Sequence, residues 1–401
     1  MAVRAPIDDR ALRHTLAPFE EARTLPAASY ISEEVFDWEQ KNLFDSTWVC
    51  AGRTSGLAAG GDQLARRVGS DEVLFVRGED GALRGYFNTC RHRGHELLPC
   101  GDGPINRRSV QCPYHRWIYG LDGRFKGGPG LAAQAGFDRT DPEHSLVPVR
   151  LREWGGWIFV NISGDAPPFE ETIGNLDELV GPYELDRLIP AVEHSYQVSA
   201  NWKVINENYH ECYHCGEIHP ELCAVTPPYS GEDYAPTGAW VGGSMELMEH
   251  ATTMSLTGES LGVPLRGLDD DALRTVHYVG LFPNLLLSPH PDYVMAHRME
   301  PLGPGRTFIE CTWLFPPEAL VAPGFDPSYA ADFWDVTNRQ DWTACESVQR
   351  GIGGRGYRQA PFSQHESTVH AFMAMVARSY LAGRPVPATP SGAPSRSGAS
   401  A

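Results

Sequence analysis

Residues 90–115 read CRHRGHELLPCGDGPINRRSVQCPYH. Two mixed pairs bracket this stretch: Cys90 with His92 at C-x-H, and Cys112 with His115 at C-x-x-H. Each pair follows a β-type run, and Gly94 and Pro113 lie inside the loops, as two turns wrapping one inorganic centre require. Two thiolates and two imidazoles also satisfy tetrahedral zinc. Zinc fingers, however, bring their ligands as C-x₂₋₄-C and H-x₃₋₅-H, whereas here each loop supplies one of each kind. His95, Cys100 and Trp117 read as packing around the centre rather than as ligands.

The runs on either side are DEVLFVRG (71–78), LRGYFNTC (83–90), SVQCPYHRWIYG (109–120) and GWIFVNI (156–162), with glycine turns at Asp122-Gly123 and Gly155-Gly156. Short β-rich runs at hairpin spacing predict a small antiparallel β domain over 45–163. The linker GDAPPFEE (164–171) disfavours helix through its paired prolines. Beyond it, NWKVINENYHECYHC (201–215) reads as a helix, 277–301 and 305–316 as strands of a second sheet, and 329–350 as another helix. The expected fold is α+β: a helical segment over 1–44 packing on a larger domain over 164–386, plus the small β domain. The tail over 387–401 holds only small, polar and proline residues and is expected to be disordered.

The 401 residues, with 42% hydrophobic and 21% charged, suit a folded protein of two to three domains. Lys+Arg 33 against Asp+Glu 51 leaves a net charge of −18, which repels phosphate backbones and anionic membranes, so neither nucleic acid nor membrane is an expected partner. MAVRAPIDDRALRHTLAP carries no apolar leader core, and the expected location is the cytoplasm. Nine cysteines, an odd number, favour metal or buried thiols over disulfides there.

A second ligand-rich stretch contains Glu207, His210, Glu211 and His214, with His219 just before Pro220. Five residues apart, His214 and His219 would diverge on an ideal helix. Gly216 and Pro220 are expected to break it and return His219 toward His214. Two imidazoles and a carboxylate form the facial triad of non-haem Fe(II) sites, and Asp332, Asp335 and Asp341 are the available carboxylates. His210 reads as a core or supporting group. Cys212 and Cys215 form C-x-x-C, but with no second pair and no βαβ context they read as small buried groups on the helix.

A Rieske [2Fe-2S] cluster accounts for the mixed loops, with two cysteines on one iron and two neutral histidines on the other. The exchange raises the potential from about −400 mV to about −150 to +300 mV. Through C-R-H-R-G and C-P-Y-H-x-W the chain resembles the Rieske non-haem iron oxygenases. The intervening Arg93–Gln111 is slightly longer than the family pattern, and the excess is assigned to a surface loop at Gly101–Arg108. The string N-W-K-x₄-N-Y-x-E-C-Y-H-C-x₃-H-P draws the likeness toward carnitine, choline and glycine betaine monooxygenases and stachydrine demethylase, over about residues 30–380.

The resemblance implies a catalytic sheet gripped by helices in a START-like manner. It also implies Cys90, His92, Cys112 and His115 on the cluster, and His214, His219 and Asp341, from QDWTACESVQRG, on a mononuclear Fe(II). Glu211, three residues before His214, falls where the family bridges the two centres. Ring-hydroxylating members commonly have aspartate there. The family expectation is a head-to-tail homotrimer in which Glu211 joins His115 of the partner subunit to His214. Electrons come from a separate NAD(P)H-dependent reductase, since no G-x-G-x-x-G fingerprint follows a strand here.

The expected activity is hydroxylation by O₂ of a small substrate, foremost the N-methyl group of a quaternary ammonium or betaine compound. An arene ring-hydroxylating dioxygenase α subunit is the alternative enzyme. An electron carrier or zinc-stabilised binding protein is the alternative of another class. Tyr229, Tyr234, Trp240, Tyr278, Phe282, Tyr293 and Trp313 could supply aromatic faces for a cation cage, but ordinary packing is the preferred reading of each. His144, His194, His277, His290, His297 and His365 carry no assigned role.

Overall fold

The computed structural model describes residues 3–131 and 136–388. Phe44–Ala166 forms one compact unit, and Met1–Leu43 with Pro167–Ala401 forms the other.

The small unit is built from β1 (Val49–Arg53), β2 (Asp62–Val68), β3 (Asp71–Arg77), β4 (Leu83–Phe87), β5 (Ile105–Asn106), β6 (Val110–Gln111), β7 (Ile118–Tyr119), β8 (Phe125–Gly127), β9 (Pro148–Trp154) and β10 (Trp157–Asn161). Seven strands run in the order β1-β10-β9-β4-β3-β2-β5, and β6-β7-β8 form a second, smaller sheet. Gly155 and Gly156 both adopt positive φ, 54° and 79°, and close the β9–β10 hairpin with Trp154 opposite Trp157. A two-residue turn of this kind matches the twist of its strands and needs residues that tolerate positive φ twice in succession. The segment Gly101–Arg108, expected as surface loop, contributes β5 at the sheet edge, pairing Asp62 with Asn106. Leu74, Val76, Tyr86, Trp117, Tyr119 and Phe125 form a buried core that also encloses Cys90 and Cys112.

The larger unit holds a six-stranded antiparallel sheet of β11 (Ile189–Val198), β12 (Trp240–Glu246), β13 (Thr275–Leu281), β14 (Leu285–Pro289), β15 (Val294–Gly303) and β16 (Arg306–Phe315), in the order β11-β16-β15-β14-β13-β12. β14 is buried at every residue, whereas edge strand β11 alternates between exposed and half-buried along most of its length. Central strands covered on both faces read as continuous apolar runs, and half-solvated edges alternate. Helices Trp202–Tyr209, Ser328–Ile352 and Ser367–Ala382 accompany the sheet. The fold is therefore α+β, and no helix among the described residues is long and apolar enough to cross a membrane.

The N-terminal helix Glu33–Glu39 is capped by Ser32, whose Oγ accepts from Val35 N–H. It delivers Glu39 into the larger unit, where Lys203 Nζ lies 2.6 Å from Glu39 Oε1 with both side chains fully buried. Trp202 Nε1–H donates to the other oxygen at 3.0 Å, and Tyr380 O–H also donates to Glu39. A buried charge stripped of its partner is strongly destabilising. Glu39→Leu is therefore expected to cost about 3–5 kcal/mol in denaturant unfolding, with Lys203→Met in the same chain recovering part of the loss. A single variant as stable as wild type would contradict this.

Of the tail expected over 387–401, Ala388 is anchored by its N–H to Gly238 O at 3.1 Å, because Val386–Ala388 still follows the last helix back onto the unit. The rest, residues 389–401, lies outside the described residues.

Candidate metal centres

In the small unit, each of the two loops closes on its own cysteine. Gly94 N–H donates to Cys90 O and Cys90 N–H to His95 O, while Arg116 N–H donates to Cys112 O and Cys112 N–H to Trp117 O. Gly94 and Arg116 take positive φ, 71° and 57°, and reverse the two loops. The cysteines are buried at 2% and 1% exposure. His92 is exposed and His115 half-buried, with ring centroids 4.8 Å apart. Trp117 stacks on His92 at 4.8 Å and Tyr114 lies over His115 at 3.7 Å. Burial, then the charges of His115 and Arg93, lower the pKa of His92 and favour the neutral ligand form. Tyr119 O–H lies 3.2 Å from Cys90 Sγ and accepts from Arg91 N–H at 3.1 Å.

Among the described residues, the one group of three or more His, Cys, Asp or Glu whose ligand atoms all lie within 4.8 Å of one another is His214, His219 and Asp341. No three of Cys90, His92, Cys112 and His115 therefore crowd about a single point, as tetrahedral zinc at about 2.0–2.3 Å requires. Sulfur on one side and nitrogen on the other suit two irons.

In the larger unit, His214 Nε2 and His219 Nε2 lie 3.2 Å apart, and Asp341 Oδ1 lies 2.9 Å from His219 Nε2 and 3.4 Å from His214 Nε2. Three ligands at right angles and about 2.1 Å from one ion stand about 3.0 Å apart, so this donor set fits a facial triad. Both ring tautomers are set from behind. His214 Nδ1 bonds Glu211 Oε1 at 2.5 Å, and His219 Nδ1 bonds Gln340 Oε1 at 2.7 Å, with Gln340 Nε2 donating in turn to Glu221 at 3.0 Å. In the neutral rings, the form that binds a metal, each Nε2 lone pair is then left facing inward. Burial opposes ionisation of Asp341, yet bonds to the two imidazoles hold its pKa at about 2. Burial likewise opposes charging of His214, but Asp341 and Glu211 lift its pKa to about 10.

The expected helix over 201–215 differs from the observed one. It ends at Tyr209, and a short second helix spans Cys215–Ile218. The break comes at 210–214 rather than at Gly216, because Glu211 accepts from the backbone N–H groups of Tyr213 and His214 and caps a turn there. Pro220 opens the next helix, Pro220–Val225. Cys212 and Cys215 are joined by a disulfide, and only Cys215 is helical and buried, which corrects their reading as two free buried groups on one helix.

Asp332 faces solvent, and Asp335 accepts from Tyr196 O–H at 2.6 Å and Arg339 Nε at 2.7 Å, so neither joins the triad. His210 is a core residue whose Nδ1–H donates to Asn206 O, with burial lowering its pKa to about 4. The seven aromatics do not form one cage. Tyr229 stacks outside on His365, Tyr234 bonds His277, Tyr293 stacks on His290, and Trp313 meets His194. Tyr278 approaches Tyr209 on the site helix, with centroids 6.5 Å apart, and Phe282 packs on Trp202 of the same helix at 6.0 Å. Gln340, Glu221, Asn208, whose amide lies 3.5 Å from His214 Nε2, and Tyr209 were not singled out by the sequence. The one available hint was the adjacency of Gln340 to Asp341 and of Glu221 to Pro220.

The Rieske [2Fe-2S] domain family matches residues 47–138, and the ring hydroxylating alpha subunit (catalytic domain) family matches 185–382. A cluster-binding β unit joined to a helix-covered sheet with an N₂O triad is the architecture of a two-centre oxygenase. The chain belongs to the Rieske non-haem iron oxygenases, as a catalytic subunit. It is 37% identical to the carnitine monooxygenase oxygenase subunit of Escherichia coli (strain K12), over 84% of this chain and 87% of that one. It is 30% identical to the glycine betaine monooxygenase oxygenase subunit of Chromohalobacter salexigens, over 85% and 82%. The solved structure of a quaternary ammonium Rieske monooxygenase superposes with a TM-score of 0.79 at 25% identity, covering 94% of this chain and all of that one. The protein is an oxidoreductase that carries a [2Fe-2S] cluster and a mononuclear iron and takes electrons from a separate reductase.

Proposed function

We propose that this subunit hydroxylates an N-methyl carbon of a quaternary ammonium compound. One oxygen atom of O₂ enters the C–H bond and the other leaves as water, with two electrons and two protons supplied. The resulting hemiaminal breaks its C–N bond, releasing formaldehyde, a proton and the demethylated amine. The single observation that carries this reading is the likeness, over 84–85% of the chain, to oxygenase subunits named for carnitine and glycine betaine.

In this reading Cys90, His92, Cys112 and His115 hold the cluster, and His214, His219 and Asp341 hold the iron. The iron, when bound, supplies open positions for O₂ chemistry beside the substrate. Glu211 and Gln340 keep the two imidazoles in the binding tautomer. Glu211, 14% exposed at its side chain, would meet His115 of the partner subunit in a head-to-tail trimer through the lone pair that its three present bonds leave over. Charge supports such docking: residues 44–166 carry 15 Lys+Arg against 14 Asp+Glu, leaving a net of −19 on the remainder of the chain. Arg91, Arg93 and Arg116 stand exposed around the cluster histidines.

The test pairs the purified protein with a surrogate reductase and a panel of betaines and arenes. Formaldehyde from a methylammonium substrate supports the reading, and a cis-diol from an arene overturns it. A further expectation concerns Tyr119, whose phenol hydrogen is directed to Cys90 because its oxygen already accepts from Arg91 N–H. A donor to a cluster sulfur stabilises the reduced, more negative state. Tyr119→Phe should therefore lower the cluster potential by about 50 mV, the equivalent of about 1 kcal/mol for one electron. Redox titration by EPR reads this, and an unchanged or raised potential would count against Cys90 as a ligand.

A further inference from the structure

His297 stands on β15 opposite Leu286 of β14 and Cys311 of β16, and Cys311 in turn faces His194 of β11. This row is covered by Asn338 of the Ser328–Ile352 helix, whose Nδ2 donates to Cys311 Sγ at 3.7 Å and whose Oδ1 lies 3.1 Å from His297 Nε2. With the amide donor committed to sulfur, the oxygen must accept, so Nε2 carries the imidazole hydrogen and Nδ1 keeps a lone pair. Burial lowers the pKa of His297 to about 4, so the ring is neutral at physiological pH. The residue is 2% exposed, and Nδ1 has no hydrogen-bond partner among the described residues.

The neighbours of this acceptor adjoin the triad along the chain. Tyr209 and Trp342 present ring edges to His297 at 5.9 and 6.0 Å. Trp342 follows Asp341 directly, Asn338 precedes it by one helical turn, and Tyr209 follows Asn208, whose amide reaches His214. His210 also has an unpartnered Nε2, but it is pressed against Gly280, where a single added carbon would approach to 2.4 Å and no ligand has room.

We propose that His297 determines substrate specificity: its Nδ1 accepts a hydrogen bond from a hydroxyl carried near the quaternary nitrogen, so hydroxylated ammonium compounds are preferred over their deoxy counterparts. The inference rests on the quaternary ammonium reading above. A carboxylate has no hydrogen to give a neutral Nδ1, whereas a hydroxyl does. A site built around a hydrogen bond to a substrate hydroxyl disfavours the analogue lacking it, because the buried partner is then left unpaired.

The test compares L-carnitine with γ-butyrobetaine and choline with ethyltrimethylammonium, two pairs that differ only by the hydroxyl. It reads kcat/KM for formaldehyde release by the reconstituted holoenzyme and Kd by calorimetry without an electron donor. The wild-type protein should favour the hydroxylated member by about ten- to hundredfold in Kd. His297→Asn puts an amide oxygen where Nδ1 was and should retain most of the preference. His297→Gln keeps a donor toward Asn338 but withdraws the acceptor, and its ratio should fall to about one. A purely structural role predicts the reverse order, since Gln preserves the Asn338 contact. A wild-type ratio near one, or a Gln variant that keeps the preference, overturns the proposal while leaving the ammonium reading intact. If no member of either pair binds or yields formaldehyde, the ammonium reading itself fails and the inference falls with it.

Discussion

Asp341→Ala is expected to empty the mononuclear site, reducing iron from about three to about two atoms per chain, and to abolish turnover by about 10³-fold or more. Asp341 Oδ1 is within 3.4 Å of both imidazole nitrogens and supplies the only negative charge in the triad. Without it, two neutral histidines remain, and a divalent ion loses both a ligand and the charge that offsets its dehydration. The small unit shares no residue with this change, so the cluster EPR signal of the dithionite-reduced protein should persist. Three irons per chain and normal turnover in the variant would remove Asp341 from the site, and with it the proposed triad.

Glu211→Gln is expected to keep both metals yet lower turnover by about 10²-fold or more, with the loss in cluster-to-iron electron transfer. The Gln amide oxygen can still accept from His214 Nδ1, which the carboxylate contacts at 2.5 Å, so the ring keeps its partner while the charge is lost; the amide NH₂ cannot accept from the Tyr213 and His214 N–H groups that the second Glu211 oxygen serves, so the turn loosens there. Glu211→Ala removes both and should reduce iron occupancy as well. Single-turnover reoxidation of the reduced cluster, with substrate and O₂ present, separates the two effects. Full-rate reoxidation in the alanine variant would show that Glu211 carries no part of the route.

Much of this arrangement was legible in the chain because ligand chemistry is local. C-x-H and C-x-x-H place sulfur and nitrogen on one tight loop each, and the hydrogen bonds closing those loops run between residues at most five apart. The alternation of β11 and the continuous burial of β14 are likewise written in short windows. The end of the site helix was less legible. Helical propensity continues through 210–215, and the chain stops because the Glu211 side chain competes for the Tyr213 and His214 N–H groups. The disulfide at 212–215 follows from that turn, since it draws the two Cα atoms to 4.9 Å.

The amino-acid order by itself determined the class of chemistry, and it offered the donors proposed here for the two iron centres. Such donors are fixed by residue type and by spacings of a few positions. The tertiary structure alone decided the rest. It grouped Asp341 rather than Asp332 or Asp335 with the two imidazoles, placed Gln340 and Glu221 behind His219, put the seven aromatics into ordinary packing, and left His297 with an unshared lone pair among Tyr209, Trp342 and Asn338. These choices depend on strand register and helix rotation, which come from packing across 40 to more than 120 residues of chain, where local propensity carries no information.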